Sequence, residues 1–201
     1  ASNGTIMATF EIGRSAPRLE DDRFLRGAGR YVGDVNAENQ AIAYVLRSPH
    51  AHAEIASIET ADAAAMPGVH GIFTAADLAA DRLGNLPCLL PVTSSDGQVS
   101  VVPPAPPLAH DRVRYVGEPL ALIVAGSEFV ARDAAEGVTI DYRPRAAAID
   151  TGNAIRLPLV WDDVPDNTCF VWEDGDAEAV RRQFTDAAYS VRIALINNRV
   201  V

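Results

Sequence analysis

Lysine is missing altogether. The 201-residue chain carries 17 basic residues, and every one is arginine. A P-loop lysine, a Schiff-base lysine and a lysine general base are therefore excluded. Basic charge is also in deficit: 27 acidic residues leave a formal net charge of −10, which argues against a broad nucleic-acid surface. Cysteine is scarce. Cys88 and Cys169 stand far apart with no CxxC, so this chain alone supplies neither an iron–sulfur cluster nor a Cys-rich zinc site. The two thiols read as buried apolar groups in a reduced compartment, and nothing in their spacing asks for a disulfide. The longest strongly apolar run, Leu120 to Ala125, falls far short of the roughly 20 residues of a membrane span. A charged stretch followed by an apolar one, the mark of a secretory leader, is absent from the start of the chain. Ala1 to Ile6 read as a vector remnant ahead of Met7, and the sequon Asn3-Gly4-Thr5, at a chain end without a signal peptide, is set aside.

What remains is ordinary globular composition, 48% hydrophobic and 22% charged. To about Asn39 the chain is polar and aperiodic, an extended arm with turns. Gln40–Arg47 is almost continuously apolar and suits a strand buried on both faces. Ala53–Glu59 follows as a second strand, and Thr60 as the N-cap of a short Ala-rich helix ending before Pro67-Gly68. Val69–Phe73 is a third strand, and Thr74-x-x-Asp77 a capping box opening one more helical turn. From Arg82 to about Arg112 the chain is irregular. Ser94–Gly97 marks a turn there, and Pro103–Pro107 reads as a stiff crossing loop in preference to a peptide-recognition ligand. Leu120–Ala125 is the clearest core strand. It runs into a helix over Glu128–Glu136, capped by Ser127 and apolar at Val130, Ala131, Ala134, Ala135 and Val138. Gly137 ends that helix, and Val138–Tyr142 is the next strand. Thr151–Pro158 is a linker. Thr168–Trp172 is then expected as a strand, Asp176 as the cap of a helix bearing Val180 and Phe184, and Ala188–Ile196 as a strand alternating apolar and polar. The fold class is α+β.

Candidate chemistry is thin. His50 and His52 form an HxH pair that could share a metal on a strand, but Ser48-Pro49 point to a turn with imidazoles bonded to backbone. His70 and His110 stand alone. Gly27, Gly29 and Gly33 narrowly miss a dinucleotide fingerprint, with no strand before them, and serve tight turns or close approach instead. Arg23, Arg26 and Arg30 either meet a phosphate or, preferably, pair with Glu20, Asp21, Asp22 and Asp34. Glu118 sits at a turn entering the core strand. If buried it is a candidate acid or base; without a partner nearby in sequence it is a backbone cap. No Ser–His–Asp order, Cys–His pairing or nucleophile elbow stands out.

The order of segments resembles a known family. Arg23 to Asp34 (RFLRGAGRYVGD) is similar to the opening motif of the large, molybdenum-binding subunit of the xanthine dehydrogenase/aldehyde oxidase family. Arg47-Ser48-Pro49-His50-Ala51-His52-Ala53 looks like its next signature. Met66–Val69 to Asp77-Leu78, Val113–Pro119, and Ala134–Glu136 through Asp141–Pro144 follow in the same order. The resemblance runs from about Arg14 to Val201. It implies an α/β hammerhead domain of mixed strands and short helices over 14–150, after a disordered or tag-like 1–13. Residues 151–201 would be a linker and the first strand–helix–strand of a truncated molybdopterin-binding domain.

The implied enzyme is a cytoplasmic, multi-component bacterial hydroxylase of aldehydes, N-heterocycles or carbon monoxide. It would use molybdopterin (cytosine dinucleotide), [2Fe–2S] clusters and FAD, in part on partner subunits. The pterin-holding segments and the basic glutamate would lie beyond Val201. No residue here is therefore assigned a catalytic, cofactor-binding or metal role, and none of these cofactors is expected on this chain alone. Three readings stay open: a non-catalytic structural portion, a subunit that assembles with a separate pterin-binding chain and shapes the substrate channel, and a stand-alone binding module.

Overall fold

A computed structural model describes residues 18–195. The chain divides into two compact units, with the boundary between Ala41 and Ile42. In the first, helix α1 (Asp21–Leu25) replaces part of the expected arm, and a 3-10 turn follows at Val32–Asp34. Arg23 pairs with Glu20 at 2.9 Å and Arg26 with Asp22 at 2.7 Å, one helical turn apart in each case. Gly29 passes so close to the Phe24 ring that a Cβ would lie 2.8 Å from Cδ1, and Gly27 turns with φ +69°. Both glycines therefore serve backbone geometry, and the Phe24 ring is free to stack on Tyr31 with centroids 5.7 Å apart.

The second unit is built on two three-stranded antiparallel sheets. One has the order β1–β5–β3, with β1 at Ile42–Arg47, β5 at Pro119–Ala125 and β3 at Val69–Thr74. The other has the order β4–β2–β6, with β4 at Arg112–Val113, β2 at Ala53–Glu59 and β6 at Thr139–Pro144. Two short helices, α2 (Ala61–Ala64) and α3 (Ala75–Ala80), flank β3, and α4 (Glu128–Glu136) follows β5. This is the mixed α/β arrangement expected of the sequence.

Two cores hold the sheets. In one, Ala131, Ala134 and Ala135 of α4 lie on Ile123 and Ala125 of β5, with Tyr44, Leu46 and Ile72 packed around them. Alanine at each contact lets the helix approach the sheet closely. The other joins Ala53, Ala109, Val113 and Leu120, flanked by Ile55, Ile140 and Tyr142. Leu120 belongs to one sheet by its place in β5 and to the other by its packing. The β5–α4–β6 succession is therefore not a parallel crossover, because its two strands lie in different sheets.

Several expectations are corrected. β1 is not buried on both faces: it lies at a sheet edge, none of its residues is fully buried, and Tyr44 and Leu46 pack on the helix-covered core. Thr60 occupies the N-cap position of α2 without a side-chain capping bond, whereas Thr74 and Asp77 form the full capping box of α3. Ser127 Oγ accepts from Val130 N at 3.3 Å, as a capping serine should. The linker folds into a 3-10 turn at Ala154–Arg156, with a second at Pro165–Asn167. Thr168–Trp172 is extended but not a strand. Its Cys169 and Val171 carbonyls accept from Val101 N (2.9 Å) and Ser95 N (2.7 Å) of a loop that closes on itself through the Thr93–Val99 bridge. Helix α5 (Ala177–Asp186) is capped by Asp176, yet Val180 and Phe184 are exposed. The strand expected at Ala188–Ile196 does not form among the described residues. Tyr189 is 93% and Leu195 86% exposed, because no neighbouring strand pairs with them. Ile196, Asn197–Val201, Arg14, the sequon and the stretch 1–13 lie outside the described residues.

Candidate functional site

The HxH segment is the tight turn between β1 and β2. Ser48, itself buried, accepts from His50 N through its Oγ at 3.0 Å. The His50 ring tilts against Tyr142 with centroids 4.5 Å apart. His52 is buried, and its Nδ1 lies 2.8 Å from the Ala146 carbonyl. A carbonyl can only accept, so Nδ1 carries the proton. The two imidazoles thus serve different partners, one an aromatic ring and the other backbone. Among the described residues no three His, Cys, Asp or Glu side chains are grouped to hold a metal.

Glu118 sits across this turn. Ser48 N donates to the Glu118 carbonyl at 2.9 Å, Gly117 N to the Ser48 carbonyl at 2.8 Å, and Arg47 Nη1 to the Gly117 carbonyl at 2.8 Å. Gly117 makes the bend with φ +86°, a conformation that favours glycine. Glu118 is only 6% exposed, and its carboxylate accepts from Arg114 N. Burial pushes its pKa up, while that N–H and the Arg114 charge pull the other way. Tyr115 is raised too, first by burial and then by the Glu118 charge. The geometry is that of a backbone cap with an uncomfortable charge.

Sequence reasoning missed Arg112 of β4 and Arg114 just past its end. Alternation on a strand puts Arg112 and Arg114 on one face, and the register sets Glu54 opposite Arg112. Arg112 Nη1 reaches both oxygens of Asp162 at 3.3 Å, and the Arg114 guanidinium lies 3.6 Å from the centroid of Trp161. Arg145 Nη1 donates to Glu54 at 2.8 Å. The Arg-x-Arg spacing was a readable signal; partners fifty residues away were not.

Sequence reasoning also missed an apolar groove on the open face of the β1–β5–β3 sheet. Cross-strand neighbours Val45, Leu122 and Phe73 form its floor, and Leu78, Pro107 and Leu108 its walls, around a volume of about 310 Å³. It can seat an apolar group. Neither His50, His52 nor Glu118 lines it. Cys88 is exposed and Cys169 half-buried, which corrects the expectation of two buried thiols: both lie in irregular segments outside either core.

Residues 26–146 match the family model described as aldehyde oxidase and xanthine dehydrogenase, a/b hammerhead domain. The carbon monoxide dehydrogenase large chain of Afipia carboxidovorans is 36% identical over 190 residues, covering 88% of this chain and 22% of that protein. The nicotine 6-hydroxylase large subunit of Paenarthrobacter nicotinovorans is 38% identical over 157 residues, covering 78% and 18%. Among solved structures, a Cu,Mo-CO dehydrogenase superposes with TM-score 0.66 at 34% identity, covering 88% of this chain and 23% of that one. Quinoline 2-oxidoreductase from Pseudomonas putida 86 gives TM-score 0.59 at 36% identity, covering 71% and 17%. The chain thus spans about a fifth of the length of the relatives it matches.

Proposed function

This chain belongs to the aldehyde oxidase and xanthine dehydrogenase family, and from that premise we propose that it is the N-terminal structural portion of a bacterial molybdenum hydroxylase large subunit, inactive by itself. The observation that carries the reading is the hammerhead match over residues 26–146. In this reading residues 14–150 are that domain, and 151–201 are a linker and the start of a molybdopterin-binding domain. The uncovered apolar residues of α5 and of 189–195 support it, since an alternating segment without a sheet asks for one.

The whole protein would then be a cytoplasmic oxidoreductase acting on carbon monoxide, an aldehyde or an N-heterocycle. Molybdopterin cytosine dinucleotide, [2Fe–2S] clusters and FAD would be held by the remaining region and by partner subunits or domains. This chain's own residues do not fit those groups. Cys88 and Cys169 lack the four-thiolate set an iron–sulfur cluster needs, and the two histidines of the HxH turn are engaged elsewhere. The role that fits is scaffold: a rigid pair of sheets that presents surfaces to its neighbours.

Metal analysis and gel filtration of the purified chain test this together. The expected outcome is molybdenum and iron far below stoichiometry, with self-association through the bare 189–195 row. Substituting Ile193→Lys should then restore the monomer. A stable monomer, or stoichiometric molybdenum or iron on this chain alone, overturns the reading.

A further inference from the structure

We propose that residues 145–167 form an ionic strap that lifts off the β4–β2–β6 sheet as a unit while both sheets stay folded. The strap is anchored at its two ends. At the first, Arg145 N donates to the His52 carbonyl at 2.9 Å and His52 Nδ1 to the Ala146 carbonyl at 2.8 Å. Just past the second, Cys169 and Val171 are held by the loop at 95–101. Between the anchors the strap is knotted on itself. Asn167 Oδ1 accepts from Val160 N at 2.8 Å, and Asn167 Nδ2 donates to the Ala154 carbonyl at 2.8 Å and to the Pro158 carbonyl at 3.2 Å. The two 3-10 turns at Ala154–Arg156 and Pro165–Asn167 pack on each other. A segment that satisfies its own backbone this way can move without unravelling.

Its ties to the sheet at the Trp161–Asp162 corner are of another kind. They are the Arg112–Asp162 pair, whose carboxylate is 76% exposed, and the Arg114–Trp161 stack. The Arg112 side chain is only 12% exposed, but the open carboxylate side leaves the pair accessible to screening by salt. Asp111 and Glu118 keep Arg114 on the sheet side, at 3.8 Å from the former and through its backbone N–H to the latter. The Nε–H groups of Arg112 and Arg114 are buried without a partner among the described residues, so an opening of this corner would let both meet solvent. Strong local closure of the knot, ties open to screening and two buried donors that gain on release together make the corner the place where the fold gives first.

The chain has two tryptophans, so Trp172→Phe leaves Trp161 as the sole reporter. In that background Arg114→Ala and Asp162→Asn are each expected to raise acrylamide quenching of Trp161 and to speed amide exchange over 146–167 about ten-fold, with β5 amides unchanged. Arg114→Lys keeps the charge but loses the planar stack, so it should fall between. Raising salt from about 0.05 to 0.5 M should move the parent protein the same way, which carries the test if a variant fails to fold. The proposal is overturned if strap and β5 amides exchange together in every variant and at both salt concentrations. It is overturned equally if Trp161 stays protected until the global unfolding midpoint.

Discussion

The carboxyl of Glu118 is held where its charge is least welcome, and that gives it a legible signature in pH. Its folded pKa lies above the ordinary value of 4.5, because burial outweighs the Arg114 N–H and charge. The folded state therefore binds the proton more tightly than the unfolded state does. The stability this contributes is complete below pH 4.5 and is lost as pH rises through the raised folded pKa. A Glu118→Gln variant keeps an acceptor for Arg114 N and removes the titration. Urea midpoints of the two proteins should diverge in favour of the variant as pH rises above 4.5. A difference that is flat across pH, or that grows toward acid, would sink the assignment. Leu120 is the second residue to probe. It is fully buried and carries β5 into the core of the β4–β2–β6 sheet, so Leu120→Ala is expected to lower stability by about 2–5 kcal/mol in a urea titration.

At the scale of elements, local chemistry was readable and pairing was not. β2 runs over Ala53–Glu59 as expected, α4 is capped by Ser127 and stops at Gly137, and the Thr74–Asp77 box closes as written. The two caps are each decided within four residues along the chain. The box has a further consequence. Asp77 takes the Thr74 N–H at 2.7 Å and its hydroxyl at 2.8 Å, and these bonds lower its pKa. Its contribution is present above the ordinary carboxylate range and is lost as pH falls through the lowered folded pKa, the reverse of Glu118. Thr74→Ala should cost about 1 kcal/mol at neutral pH, measured by thermal or urea unfolding, and an unchanged midpoint would show that the cap is ornamental. The strands expected at 168–172 and 188–196 failed for a different reason. A strand is a two-body object, and Tyr189, Val191, Ile193 and Leu195 carry the right alternation with nothing beside them. The same limit hid the groove floor of Val45, Leu122 and Phe73, which three separate strands bring together, and the grip of Arg112 and Arg114 on the strap.

For the whole molecule, the two sheets share one strand's interior rather than one continuous core. β5 lends Ile123 and Ala125 to the helix-covered core and Leu120 to the other, so the two should melt together. Coincident transitions by far-UV circular dichroism and by hydrogen exchange at β2 and β5 amides are the expected result. Separate midpoints would mean that Leu120 does not couple them. The family resemblance was legible in the order of short motifs, and the Arg-rich opening, the HxH turn and the Glu118 bend turned out to be turn and cap chemistry. No alternation or spacing could have supplied the two-sheet arrangement, because its register joins residues some eighty positions apart.

That register has a cost in time. Ile42 pairs with Ala125, so during synthesis β1 leaves the ribosome long before its partner exists. At typical elongation rates the delay is on the order of ten seconds. Throughout it, Ile42, Tyr44, Val45 and Leu46 travel as a bare apolar edge, with β3 waiting alongside for the same missing central strand. Synonymous codons that slow translation ahead of Leu120 should therefore lower the soluble yield of a protein whose finished fold they leave untouched.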